Sequence, residues 1–386
     1  MPTDLGELRR RLELELPAAV ELRHELHGRP ELSGEEAATL RRVLAALPGG
    51  SAARPVAGTG ALLRVGGAGP AVAVRAELDA LAVTEASGVA WASRRPGVMH
   101  ACGHDVHLAA LVALCRAVDA VGGPAPLLAV LQPREETYPS GARDIRESGL
   151  LRAEQAGVIV GAHVQPLLPA GTVACTPGTV NASSDEFTIE VRGAGGHAAY
   201  PHLARDPVYA LAQVVVALQS LVSRRADPMD PVVISVTTLR AGEAANVLPD
   251  AATARGTVRA MDPDTRRAVL AQLPELVELV ARAHGCTGAV EIVDGEPALV
   301  NDAAVAAATA EVLPSLGARV DDTLRSTGSD DFAHYSTVMP SLMMFVGVGQ
   351  GDRRERLHSS TFVPPDDSVG DVARALLAGY AAAARP

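Results

Sequence analysis

The chain has 386 residues, 48% hydrophobic and 20% charged, which predicts a folded protein with more than one core. Its formal charge is −11 and its pI about 5.5, and no Arg-rich tract is present, so nucleic acid is not the expected partner. All 34 Lys and Arg residues are arginine, and the lack of lysine excludes Schiff-base chemistry, a P-loop lysine and a Ser-Lys dyad.

The four cysteines, Cys102, Cys115, Cys175 and Cys286, fit no Cys-x-x-Cys zinc or redox spacing. Met1–Leu16 is charged and lacks an apolar signal core, and no apolar run reads as long enough to span a membrane. The expected location is cytoplasmic and reducing, with no membrane partner.

In chain order, Leu5–His27 has the periodicity of an amphipathic helix, stopped by Gly28 and Pro30. A second helix is predicted over Gly34–Leu47, opened by a cap at Ser33. Strands follow at Ala61–Val65 and Ala71–Ala76, the second apolar enough to be central and delivering Arg75, Glu77 and Asp79 at its end. Leu108–Val121 predicts a buried helix, and Leu127–Leu131 a strand ending in Gln132-Pro133-Arg134-Glu135-Glu136. Gly157–His163 repeats the pattern, a strand closed by a histidine. In α/β sheets, sites gather at the carboxyl ends of strands, so these polar clusters point to one shared site.

From Ser183 the pattern changes. Strands at 186–191, 232–239, 253–260 and 289–293 alternate with helices opened by Asp206-Pro207 and Asp262-Pro263, giving the order βαββαβ of a ferredoxin-like sandwich. Helical periodicity returns from Ala303, and a strand at Ser341–Val348 leads to the loop with His358. The predicted fold is an α/β domain with a mostly parallel central sheet flanked by helices, over 1–181 and 295–386. It is interrupted by a smaller α+β domain over 182–294.

The densest chemistry lies in Met99–His107, Met-His-Ala-Cys-Gly-His-Asp-Val-His, on a loop and the first turn of a helix. Thiolate and imidazole together suit zinc or a similar borderline ion. Adding the strand-end residues gives five candidate ligands, Cys102, His104, Glu136, His163 and His358. These suffice for two ions sharing a bridging thiolate or water, a pair that can polarise a carbonyl and activate a water together. Adjacent residues on extended chain point to opposite sides, so Glu136 can bind metal while Glu135 serves as general base and then proton donor. The chemistry that follows is metal-assisted hydrolysis of an amide.

His24, His27 and His284 read as helix-surface or capping groups, and His100 and His107 as hydrogen-bonding flanks of the site. Cys115 and Cys175 read as small buried apolar side chains. Trp91 reads as a pocket wall or a core residue.

The motifs Arg23-His-Glu-Leu-His27, Arg75-Ala-Glu-Leu-Asp79-Ala-Leu, His100-Ala-Cys-Gly-His-Asp105, Gln132-Pro-Arg-Glu-Glu136, Gly161-Ala-His163, Gly195-Gly-His197-Ala, Asn246-Val-Leu-Pro, Gly256-Thr-Val-Arg259 and Leu357-His358-Ser occur in one order. Over nearly the whole chain this order resembles the co-catalytic metallopeptidase family of carboxypeptidase G and the aminoacylases. Within it the nearest likeness is the amidohydrolase branch of hippurate and indoleacetyl-amino-acid hydrolases. The resemblance implies that Cys102 bridges two divalent ions (zinc, manganese, cobalt or nickel), completed by His104, Glu136, His163 and His358. It implies Glu135 as base, Asp79 as a support that orients a ligand, and N-acyl-amino acids as substrates. It also implies a homodimer through the inserted domain, with His197 reaching the partner's site and Asn246 and Arg259 in substrate-binding positions. Glu77 stands where the branch usually has Asp, and Ala82 where it has Pro. Two other readings stand beside this one: a cysteine hydrolase with Cys102 as nucleophile, and a non-catalytic dimeric binding relative.

Overall fold

Ala71–Glu77 is buried along its entire length, and it forms the middle of the larger of two units. The computed structural model describes residues 4–349 and 356–385. Among these, the larger unit comprises residues up to 178 with 300–324, 331–349 and 356–385. It holds an eight-stranded sheet in the order Arg54–Val56, Gly60–Val65, Leu127–Gln132, Ala71–Glu77, Ala156–Pro169, Ser341–Gly349, Thr172–Ala174, Arg319–Asp321. Its four central strands, from Leu127–Gln132 to Ser341–Gly349, run parallel, as apolar strands covered on both faces should. Antiparallel pairs occur outside them.

The helices Leu5–His27, His104–Val121 and Asp367–Ala383 build one core with this sheet, through Leu8, Leu12, Leu26, Leu111, Cys115, Val372 and Leu376 among others. The Asp4 side chain caps the first helix by accepting from Gly6 N–H at 3.0 Å. The second helix is shorter than its periodicity predicts, Ala37–Ala46, because the Glu36 carboxylate instead accepts from Gly34 N–H and Arg134 N–H.

The smaller unit, residues 179–299 and 325–330, is the ferredoxin-like sandwich. Its antiparallel sheet runs in the order Val232–Ala241, Ala251–Ala260, Ser184–Arg192, Thr287–Glu296, with Pro207–Ser220 and Pro263–Ala283 in the same core. Both Asp-Pro pairs do the same work. Asp206 and Asp262 cap their helices through two backbone N–H groups each, and proline takes the first helical position, where no donor is needed. Residues 325–330 join this unit because Ser326 bridges to Asn181 and the Arg259 guanidinium holds the Thr327 carbonyl at 3.1 Å.

Among the described residues one helical stretch, Pro207–Arg225, is long and apolar enough to cross a membrane, against the expectation that no run reaches that length. In the structure its Ala210, Leu211, Val214, Leu218 and Leu221 are buried in the core of the small unit.

Candidate metal centre

Three features of local chain geometry aim the donor groups. Gly103 has φ +86°, and a Cβ there would lie 2.5 Å from Val164 Cγ2, so only glycine lets the chain turn from Cys102 into the helix that begins at His104. The helix thus starts four residues earlier than its apolar periodicity predicts, with His104 in its first turn. Arg134 has φ +52° and bends the chain after Leu127–Gln132. His358, with φ +65°, adopts the left-handed region that non-glycine residues enter at a cost, and its N–H donates to the Ala101 carbonyl at 2.9 Å.

These turns bring the five ligand candidates together in the larger unit. Donor atoms of Cys102, His104 and His163 lie within 4.8 Å of one another, as do those of Cys102, Glu136 and His358, and those of His104, Glu135 and Glu136. Cys102 Sγ is 3.4 Å from His163 Nε2, and His358 Nε2 is 3.3 Å from Glu136 Oε1. Glu135 and Glu136 do not diverge as an extended chain would have them. Both approach His104 Nε2, at 3.9 and 4.0 Å, because the bend at Arg134 replaces the extended run.

The two buried imidazoles among these candidates each have one nitrogen tied back. His104 Nδ1 donates to the Asp79 carbonyl at 2.9 Å, and His163 Nδ1 to the Val164 carbonyl at 2.7 Å. In the neutral rings this puts the lone pair on Nε2, the tautomer a metal-binding histidine needs. The Asp79 carboxylate accepts from Ser33 Oγ at 2.7 Å and from Glu136 N–H at 3.0 Å, so one residue braces two of the candidate ligands.

The electrostatics favour a cation. Burial alone would lower the His104 pKa, but Glu77, Asp79 and Glu136 outweigh it and push it up to about 10. Burial, together with the neighbouring Glu136, Glu135 and Glu77, pushes the Cys102 thiol well above its usual value. His163 is held well below the usual range, chiefly by burial. His104 Nε2 is buried and makes no hydrogen bond among the described residues. A sulfur, three imidazoles and two carboxylates in a field that draws positive charge fit divalent borderline ions.

Beneath the cluster lies a network that the sequence reading missed. Arg75, buried, donates to Gln132 Oε1 at 2.9 Å and to Asp331 Oδ1 at 2.7 Å, and pairs with Glu77. Gln132 also donates to Asp331 and accepts from the Tyr335 hydroxyl at 2.9 Å. The polar residues that end otherwise apolar strands were its only sequence signal.

His27 corrects the sequence reading. It is buried, not on the helix surface, and its Nδ1 and Nε2 lie 3.0 and 3.3 Å from Asp105 and Glu85. His24 is partly exposed and stacks on Trp91 with centroids 4.3 Å apart, while Arg23 lies over the same ring. Trp91 thus walls this charged network. His284 is the C-cap of its helix, and Cys115 and Cys175 are buried. His107 hydrogen-bonds, but neither ring nitrogen of buried His100 has a partner among the described residues.

In the smaller unit, His197 and Asn246 are neighbours. Gly196–His197 pairs with Val247–Leu248, and Ala198 N–H donates to the Asn246 carbonyl at 3.1 Å. Ala199 N–H donates to His197 Nδ1 at 3.1 Å, which puts the ring proton of a neutral His197 on the exposed Nε2. Arg259 lies on a different strand of that unit, bonded to Thr327 and Ser329.

A parallel-centred α/β unit with sulfur, imidazole and carboxylate donors at strand ends and at a helix start, and a ferredoxin-like unit inserted in the chain, define a metal-binding hydrolase class. Residues 73–378 match the model of Peptidase family M20/M25/M40. An N-acetyl-L-cysteine deacetylase of Bacillus subtilis is 35% identical, over 90% of this chain and 82% of its own. An N-acetyldiaminopimelate deacetylase of Halalkalibacterium halodurans is 32% identical, over 94% and 98%. A crystal structure of a dinuclear metal binding peptidase from the M20 family, of Bacillus subtilis, matches with a TM-score of 0.83 at 28% identity, over 96% of this chain and 98% of that one. The chain belongs to peptidase family M20/M25/M40 and is an enzyme of its amidohydrolase type.

Proposed function

We propose that the protein hydrolyses the amide bond of N-acyl-amino acids at a two-metal centre that Cys102, His104, Glu136, His163 and His358 would hold. The observation that carries this reading is the convergence of these five side chains, from four separate segments, on atoms within 4.8 Å of one another in overlapping groups. Two relatives named as deacetylases of N-acetylated amino acids support the substrate class. When bound, a pair of divalent ions polarises the scissile carbonyl and makes water acidic near neutral pH.

The side chains divide the remaining work. Glu135 takes a proton from the attacking water and returns it to the leaving nitrogen. Asp79 and Ser33 hold Glu136 and His104 in place from behind. The Cys102-nucleophile alternative loses support, because burial and the adjacent carboxylates oppose a free thiolate. Arg259 and Asn246 supply the clamp for the substrate carboxylate, since guanidinium and carboxylate match geometrically. Removing the carboxylate tests this clamp: an N-acyl-amino acid should be cleaved at least about 10-fold faster than its carboxamide analogue. Equal cleavage of the two overturns it.

The inserted domain pairs two chains, and His197 donates from Nε2 to the oxyanion in the partner's site. Exposed Val208, Tyr209 and Val216 on its helix, and the edge position of Val232–Ala241, support that pairing. Losing one such donor costs about 10²–10³ in turnover. Mixing His197→Ala with Glu135→Gln chains should restore part of the activity that each lacks. Mixed dimers that stay inactive refute action across the interface.

A further inference from the structure

His107 and Glu77 stand beside the metal centre, yet the proposed chemistry uses neither. Both are buried, and the hydrogen bonds of His107 leave its ring one tautomer. Val164 N–H points at His107 Nε2, 3.0 Å away. A backbone N–H only donates, so Nε2 must accept and carry no proton. The ring proton is therefore on Nδ1, which lies 2.9 Å from Glu77 Oε2 and donates to it. Glu77 is fixed in turn by Arg75. The donors in this chain converge on Glu77, which accepts from Arg75 and from His107 Nδ1, while His107 Nε2 accepts from Val164 N–H, so every donor faces an acceptor.

The sheet explains why a side chain does this. Ala156–Pro169 pairs with Ala71–Glu77 only as far as the pair Arg75 with Gly161. On the other side, pairing with Ser341–Gly349 continues through Val164, opposite Val346. Past Gly161 one edge of the strand has lost its neighbour, and His107 Nε2 supplies an acceptor there. The next link is direct, because the Val164 carbonyl accepts from His163 Nδ1 at 2.7 Å. Val164 is therefore held on its N–H by His107 and on its carbonyl by His163, whose Nε2 faces Cys102.

We propose that His107 is a positioning residue for His163: neutral, protonated on Nδ1 and anchored by Glu77, it replaces the missing strand and fixes the direction of His163 Nε2. This rests on the reading of His163 as a metal ligand. Partners of this kind behind a metal-binding histidine typically set metal affinity by about 10- to 100-fold.

Two measurements test it. In the first, zinc affinity is determined by competition with a chromophoric chelator for the wild type, His107→Phe and His107→Gln. Phe fills the space without an acceptor, whereas Gln can accept from Val164 and donate to Glu77. The expected result is a 10- to 100-fold loss in His107→Phe and recovery of most of it in His107→Gln. Wild-type affinity in His107→Phe overturns the inference. A wild type that binds no zinc overturns the metal-centre reading instead, so the two failures are distinguishable. In the second, nitrogen NMR of the wild type labelled with ¹⁵N-histidine reads the tautomer whether or not the variants fold. A neutral ring protonated on Nδ1, with and without zinc, is expected for His107. A proton on its Nε2 overturns the inference.

Discussion

Two buried clusters of histidine and carboxylate meet at the start of the His104–Val121 helix, and they resolve their charge differently. In the first, Arg23 donates to Asp105 at 3.2 Å, to Asp366 at 2.8 Å and to the Pro364 carbonyl. His27 bridges Asp105 and Glu85 with its two nitrogens, and His24 reaches Asp366. Cations and anions alternate, and the cluster supplies most of its own partners. In the second, one residue away, Glu135, Glu136, Asp79 and Cys102 surround His104, whose Nε2 has no hydrogen-bond partner among the described residues. The comparison teaches that residue type alone does not separate a candidate metal site from a self-paired cluster. An excess of donors over internal partners does, because a buried group left unpaired costs free energy that only a ligand recovers.

If that contrast is right, changes in the two clusters should have opposite signatures. The largest effect is expected from Glu135→Gln, which removes the proposed base: turnover should fall by about 10³-fold or more, with metal content and melting temperature nearly unchanged. Glu136→Gln should lose metal as well as turnover. A Glu135→Gln enzyme with near-normal turnover would exchange or cancel these roles.

In the balanced cluster the expected effect is on stability. Asp105→Asn leaves Arg23 and His27 with an uncompensated partner and should cost about 3–5 kcal/mol near pH 6, measured by denaturant unfolding, without changing metal content. Burial would raise the Asp105 pKa, but His27 and Arg23 hold it well below the usual carboxylate range. Its contribution is therefore present above its unfolded value, near pH 4, and is lost as pH falls through the folded value. Burial would lower the His27 pKa, yet Asp105 and Glu85 outweigh it and raise it. That contribution is complete below about pH 6.5 and fades as pH rises through the folded value. The difference between wild type and Asp105→Asn should peak between these limits, and a flat difference from pH 3 to 9 would break the account.

The two clusters were not equally legible. Cys102, His104, Glu136, His163 and His358 stood out because residue types that can ligate metal lie at the ends of apolar strands and at the start of one apolar helix. The ferredoxin-like unit was legible from alternating strands and two Asp-Pro helix starts. What sequence periodicity could not supply was long-range pairing and backbone hand. His27 finds Asp105 78 residues away, so nothing local marks it as buried. Glu135 and Glu136 share one side of His104 because Arg134 is left-handed, a conformation that arginine does not announce. The role of His107 depends on where one strand stops pairing, which only the register shows.

The most direct test of the central claim is metal content set against turnover. Freshly purified protein should carry two divalent ions per chain by elemental analysis, lose N-acyl-amino acid hydrolysis when a chelator removes them, and regain it when zinc, manganese, cobalt or nickel is returned. Protein stripped of metal that still hydrolyses these amides at the full rate would contradict it.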